Sequence, residues 1–457
     1  MDSTDHPDNS APDRLASEGS APESSAQESL AQGGKHDALA AFRHRNFRLF
    51  TAARFLVICG IEMQSLAVGW QIYSITRRPL DLGLVGLAQF LPGLMLFWLG
   101  GHVADRFERR NVLLCCQAGF ALCSLALLGI TLRGIHGVGP IYCVLVGMGL
   151  IRVFNGPAGQ AFAPLLVPPE IFPSAAAWGS GVFNAATIMG PLVGGLLYAA
   201  GGSPVPVYLT TASALLVACG LMSRLRVRGL QKGKRGATEL LAGFRYVLKN
   251  RLILGSISLD LFAVLLGGAV ALLPVYAREI LMAGPRGLGL LRASPGMGAG
   301  LMALVLANRP LRRHAGAKMM ACVAAFGVFT IVFGVSRNLY LSMAALFLVG
   351  ASDMVSVIVR STLVQLATPD EMRGRVSAVN MLFIGTSNEF GQFESGITAQ
   401  WWGAVPAVIV GGVGTLLVVG LWSMLFPALR RVDELTPESL RAANVVPVAE
   451  QDLTDAQ

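Results

Sequence analysis

Four ionisable side chains, Glu62, Arg152, Asp260 and Asp353, interrupt stretches of the chain that are otherwise apolar. An ionised group deep in an apolar helix costs about 2.5–3.5 kcal/mol on insertion scales, so each of the four calls for a partner or a task. The chemistry open to them is ion pairing, recognition of a polar cargo and carriage of a proton. A carboxylate in a dry site holds its proton more tightly and one beside a guanidinium less tightly, so a change of spacing can load or release a proton. The plainer alternative is that they are buried structural ion pairs, or polar contacts holding helices together.

The elements that must position them follow from composition. Of 457 residues, 53% are hydrophobic and only 14% charged, against roughly 25% charged in an ordinary soluble domain. The apolar residues come in blocks of the ~20 residues needed to cross a bilayer. Between Arg43 and Phe426 there is room for about twelve such blocks with short connections. The chain therefore reads as an all-α integral membrane protein with twelve transmembrane helices. Their expected spans are 47–75, 80–102, 111–132, 138–166, 172–200 and 205–223, then 252–282, 286–307, 317–336, 338–367, 374–399 and 403–426. The four charges lie roughly eight to fifteen residues into the first and fourth helix of each set, well inside the hydrocarbon at ~1.5 Å per residue.

The organisation is a tail (1–39), a six-helix bundle (40–223), a polar linker (224–251), a second bundle (252–426) and a closing tail (427–457). The first tail is rich in Ser, Ala, Pro and acids and lacks the basic start and apolar core of a signal peptide, so it is expected to be disordered. A short helix is expected near 437–443. In the linker, Leu240, Leu241, Phe244, Val247 and Leu248 recur at helical spacing opposite Glu239, Arg245 and Lys249, an amphipathic helix suited to a membrane surface. With the N-terminus inside, 23 Lys and Arg fall on the cytoplasmic side and 7 on the other, among them Arg278, Arg286 and Arg292. Both termini are expected in the cytoplasm. The net charge of +9 then reflects topology beside anionic lipid and not a nucleic-acid footprint. All seven cysteines lie in apolar stretches without metal-ligand spacing and read as small core residues.

A gapless shift of 201 residues lays Gly149-Leu150-Ile151-Arg152 on Gly350-Ala351-Ser352-Asp353, and Pro168-Pro169-Glu170 on Pro369-Asp370-Glu371. Duplication predicts two bundles related by a pseudo-twofold, with a site between them. Arg152 and Asp353 then occupy equivalent positions with opposite charge, and we expect them to be coupled across a central cavity, directly or through cargo. Glu389 and Glu394 in the eleventh helix are weaker candidates, and Arg54 and Arg360 stand close enough to a helix end to snorkel.

The loop Gly101-His102-Val103-Ala104-Asp105-Arg106-Phe107-Glu108-Arg109-Arg110 resembles the signature loop of the major facilitator superfamily. The resemblance implies a gate formed by Gly101, Asp105, Arg106, Arg109 and Arg110, with Asp105 meeting the start of the eleventh helix near Arg375. The stretch Gly190-Pro191-Leu192-Val193-Gly194-Gly195 is similar to the fifth-helix element of antiporters; Gly190, Pro191, Gly194 and Gly195 would equally permit tight packing and a kink. Arg152 with Gly156 resembles the superfamily's fourth-helix arginine motif. Three further stretches, 156–161, 240–245 and 368–376, resemble the subfamily containing the enterobactin exporter and macrolide efflux proteins.

The resemblance implies a secondary active transporter of the inner membrane that expels a small amphiphilic molecule (a siderophore, drug or metabolite) against entering protons. The proton gradient would be the energy source, with no cofactor and no metal. The expected partners are the cargo and the lipid bilayer, not nucleic acid, and the chain is expected to work as a monomer. An inward symporter or facilitator of the same fold is the alternative; a scaffold or sensor without transport is a remoter one. A membrane enzyme would need convergent groups, whereas His102, His136 and His314 are scattered. No Gly-rich loop ending in Gly-Lys-Ser or Gly-Lys-Thr is present to bind ATP.

Overall fold

The computed structural model describes residues 40–134, 137–225, 237–309, 311 and 313–435; the side chains of 40, 97–106, 161, 169, 237–241 and 370 lie outside the described set. The expectations for the leader and for a helix near 437–443 therefore fall on residues outside it. Helices dominate, and no strand occurs among the described residues. The long ones are α1 (Arg45–Thr76), α2 (Pro79–Arg106), α3 (Arg109–Leu132), α4 (Gly139–Phe162), α5 (Phe172–Gly201) and α6 (Val205–Ser223). After a linker helix (Ala237–Lys249) come α7 (Arg251–Leu266), α8 (Gly284–Asn308), α9 (Ala315–Val335), α10 (Leu339–Leu366), α11 (Asp370–Trp402) and α12 (Ala404–Leu425).

Among the described residues, eleven helices are long and apolar enough to cross a membrane, counting α7 through its continuation to Ile280. The exception is α11, whose interior carries Asn380, Asn388, Glu389, Gln392 and Glu394. Its polarity suits its location, because α11 packs against α2 of the other half and need not turn every face to lipid.

Two of the long helices, α7 and α10, start at side-chain caps. Asn250 Oδ1 accepts from the backbone N–H groups of Leu252 and Ile253 at 3.1 and 3.3 Å to begin α7. Asn338 Oδ1 does the same for Tyr340 and Leu341 at 2.9 and 3.2 Å to begin α10. Each cap satisfies amides that have no partner within the helix.

Expected helix 7 departs most from its sequence reading. The regular helix stops at Leu266, Gly267 and Gly268 interrupt it, and the chain goes on as 3-10 turns and a π-helical segment, Tyr276–Ile280. Ser395 Oγ of α11 donates to the freed Gly268 carbonyl at 3.1 Å. Two consecutive glycines weaken a helix interior, and an outside donor stabilises the break.

The two halves repeat one another in their packing. The pairs α1–α5, α2–α4, α1–α6, α3–α6 and α3–α4 recur as α7–α11, α8–α10, α7–α12, α9–α12 and α9–α10. Hydrogen bonds repeat as well: Thr211 Oγ1 of α6 donates to Gly60 O of α1 at 3.2 Å, and Thr415 Oγ1 of α12 to Ala263 O of α7 at 3.1 Å. The aligned glycines Gly149 and Gly350 lie directly on a neighbouring backbone carbonyl, Gln89 O of α2 and Pro295 O of α8, where any Cβ would collide. Small residues thus set the α2–α4 and α8–α10 approach, as expected where lipid removes most of the hydrophobic drive for helix association. The pseudo-twofold architecture read from the sequence is present.

Candidate functional site

Between the halves, packing is concentrated in α5–α8 and α2–α11, with smaller contacts from α1 to α8 and to Leu273–Val275. Much of it gathers at the end of the bundle away from residues 45, 223, 251 and 425, called here the far end. A Cβ on Gly195 of α5 would stand 2.6 Å from Pro285 O of α8, and one on Gly396 of α11 would stand 2.9 Å from Gly83 Cα of α2. Polar contacts seal the same end. Tyr73 Oη donates to Glu279 Oε1 at 2.6 Å, Arg77 pairs with Glu279 at 3.6 Å, and Arg278 donates to Ser74 Oγ while lying 5.5 Å above the Trp70 ring. Towards the termini, the described polar contacts across the seam include Gln160 Nε2 of α4 to Met381 Sδ of α11 at 3.4 Å.

The expected antiporter element divides its work. Gly190 and Gly194 face α1, where added Cβ atoms would stand 2.5 Å from Glu62 Cβ and 3.0 Å from Met63 Cα; Gly195 faces α8. Pro191 is buried inside α5, and its carbonyl lies against Gly289 of α8. These residues bring α1, α5 and α8 close together at the height of Glu62.

Four charges meet across the seam at mid-depth. Glu62 of α1 lies 3.7 Å from Arg292 of α8, which also donates to Ser65 Oγ at 2.7 Å. Arg152 of α4 lies 3.8 Å from Glu389 of α11. Glu389 is within electrostatic reach of both Arg152 and Arg292, which makes the four one layer. At ~1.5 Å per residue, Arg152 and Glu389 each stand about 20 Å from the far ends of their helices.

A second group is confined to the C-terminal half. Asp260 of α7 and Arg360 of α10 form a direct ion pair, with side chains only 8% and 3% exposed. Asp353, one or two turns from Arg360 along α10, feels the charges of both. One guanidinium thus pairs directly with one acid while a second acid lies within its field.

The structure therefore regroups the expected site. Arg152 meets Glu389, not Asp353, because α11 lies on the seam whereas α10 packs within its own half. Arg360 does not snorkel: it is buried against Asp260, since a partner within the bundle offsets the cost of desolvating its charge. Arg292, counted as a topology-setting base, lies in the seam. Arg292, Glu389 and Arg360 are thus the residues sequence reasoning undervalued, although each was visible as a charge within an expected span.

Of the expected gate, the side chains of Gly101, Asp105 and Arg106 lie outside the described residues, so the Asp105 contact with α11 does too. Arg110 donates to the carbonyls of Met222 and Ser223 at the end of α6, a capping role at a helix C-terminus. Near Arg375 it is the linker helix that packs: a Cβ on Gly243 would stand 2.8 Å from Arg375 O, and Tyr246 Oη donates to Ala367 O at 3.0 Å. The linker helix so lies on the start of α11, with Phe244 and Leu248 still exposed.

Comparison with known proteins agrees with this architecture. Enterobactin exporter EntS of Escherichia coli O139:H28 (strain E24377A / ETEC) is 27% identical over 405 residues, 86% of this chain and 95% of that protein. Among solved structures, the nucleoside transporter NupG superposes with a TM-score of 0.63 at 14% identity, covering 83% of this chain and 99% of that one. A bacterial homologue of the human lysosomal transporter Spinster, in an inward-facing and unoccupied conformation, gives 0.64 at 13% identity, covering 87% and 98%. The family model described as transmembrane secretion effector matches residues 36–454. With twelve helices in two repeated bundles and a charged seam between them, the chain belongs to that family of multi-pass membrane transporters in the major facilitator superfamily.

Proposed function

We propose that this protein is a proton-coupled exporter of the inner membrane that expels a small amphiphilic molecule by alternating access, with both termini in the cytoplasm. The observation that carries the coupling is the buried Asp260–Arg360 ion pair, with Asp353 close enough to feel both charges. Two carboxylates beside one cation leave a negative charge that a proton can neutralise, and the proton affinity depends on how closely the guanidinium approaches each acid. A shift of α7 against α10 within that bundle, as the two halves rock, changes that approach and so ties proton occupancy to conformation. Contacts gathered at the far end, with fewer among the described residues towards the termini, suit a conformation that takes cargo from the cytoplasmic side. Export is the direction favoured by the likeness to a protein described as an enterobactin exporter.

The test uses Asp353→Asn in everted vesicles, whose lumen corresponds to the cell exterior. Wild-type vesicles are expected to accumulate cargo when a proton gradient is imposed. Cargo is first identified by comparing metabolites retained and secreted by cells with and without the protein. The variant is expected to insert at wild-type level and lose gradient-driven accumulation; full accumulation by the variant overturns the coupling.

A further inference from the structure

The mid-depth layer at the seam is unbalanced in a way its formal charge hides. Its two arginines and two glutamates sum to zero, yet both ion pairs are long, and in the Arg152–Glu389 pair the base is much the less engaged partner. A guanidinium has five N–H donors. Among the described residues Arg152 makes no hydrogen bond, its nearest carboxylate oxygen stands at 3.8 Å, and its side chain is 43% exposed. Arg292 makes one hydrogen bond, to Ser65, and lies 3.7 Å from Glu62. Glu389, by contrast, is only 19% exposed. It backs onto α2, where a Cβ on Gly86 would stand 2.9 Å from its Oε2, and accepts from Gln392 Nε2 at 3.2 Å. Beside it Phe390 and Phe90 meet edge to face across the seam at 5.7 Å.

We propose that Arg152 and Arg292 form the binding site for the oxyanion of an amphiphilic cargo, a carboxylate, sulfonate or phenolate, whose apolar body lies along the seam beside Phe90 and Phe390. Loose ion pairs hold the guanidiniums near their working positions without saturating them. An arriving oxyanion replaces two long charge contacts by short, charge-assisted hydrogen bonds. Glu62 and Glu389 keep the empty site neutral, so that rocking without cargo does not carry bare cations through the seam. Expelling an anion also runs with an inside-negative membrane potential, in the same sense as proton entry. The assignment rests on the transport reading above for its purpose but is tested by binding alone.

The experiment uses the full chain in lipid nanodiscs and three probes sharing one ring system: 2-naphthoate, 2-naphthamide and 2-naphthylmethylammonium. Binding is measured by titration calorimetry, with empty nanodiscs subtracted. Naphthoate is expected to bind about tenfold or more tighter than the amide, and the ammonium most weakly, as charged hydrogen bonds to a guanidinium require. Arg152→Gln and Arg292→Gln should each erase most of that preference; Arg152→Lys should retain part of it. Equal binding of acid and amide, or tightest binding of the ammonium, overturns the assignment from the wild type alone, even where a variant fails to fold. A preference that survives both Gln substitutions overturns it too. If naphthoate is preferred but proteoliposomes move no cargo under a proton gradient, the exporter reading fails and the oxyanion site stands.

Discussion

Arg360 offers the sharpest test of how this bundle tolerates buried charge. Its guanidinium pairs directly with Asp260 and is felt by Asp353, all between α7 and α10. Arg360→Gln leaves two neighbouring carboxylates without a cation. Breaking a buried pair by removing one partner typically costs about 3–5 kcal/mol, chiefly because a charge remains uncompensated. Asp260→Asn is milder: Arg360 keeps the longer-range attraction of Asp353 and can still bond the amide oxygen, so the loss should be near that of one charge-assisted hydrogen bond, about 1.5–3 kcal/mol. Asp353→Asn should cost least, since it removes one of two mutually repelling acids. The order Arg360 > Asp260 > Asp353 can be read from unfolding by SDS in decylmaltoside micelles, followed by far-ultraviolet circular dichroism at neutral pH. The Asp260→Asn/Arg360→Gln double variant should show a coupling of about 0.5–3 kcal/mol, the range for residues in contact. Asp260→Asn costing as much as Arg360→Gln, with additive effects in the double variant, would refute the shared-cation account.

Other expectations follow from the packing. Gly350→Ala drives a methyl into Pro295 O and should destabilise the fold by about 1–3 kcal/mol in the same assay, whereas Gly220→Ala, with nothing within 4 Å of the new Cβ, should be neutral or slightly stabilising. Asn250→Ala removes the α7 cap and should cost about 1 kcal/mol, whereas Asn250→Asp should recover most of it. At the far end, Glu279→Gln weakens contacts to Tyr73 and Arg77 that are partly solvated, worth about 1 kcal/mol, which is roughly a fivefold shift in a two-state ratio. Spin labels at Arg78→Cys and Met282→Cys, read by pulsed dipolar spectroscopy, should show a larger population of wide separations in that variant; an unchanged distribution removes the far-end contacts as a latch.

The helices were legible because hydrocarbon thickness imposes a length that few sequences imitate by chance. Expected 205–223 coincides with α6, and the five apolar linker residues fall within the helix Ala237–Lys249. The interruption of α7 had its signal in Gly267-Gly268, passed over because an apolar block of 31 residues satisfied the span rule. Charge partners were not legible in the same way. Helices that are apolar all round give no periodicity from which to read the inward face. Depth alone does not choose either: Asp353 and Glu389 stand at nearly equal distances from the far ends of α10 and α11, so both are level with Arg152. Duplication favoured Asp353, but symmetry-equivalent residues meet only when they lie near the axis relating them. Arg152 lies off that axis and reaches across to α11, the helix on the seam, while Asp353 stays inside its own half beside Asp260. Sequence equivalence thus set two candidates at equal depth, and the structure pairs Arg152 directly with Glu389 and not with Asp353. The separation has a mechanistic consequence. The seam arginines and the buried Asp260–Arg360 group stand on different helices, so any coupling between them would run through the packing of α8 on α10 and of α11 on α7, the helix interrupted at Gly267-Gly268.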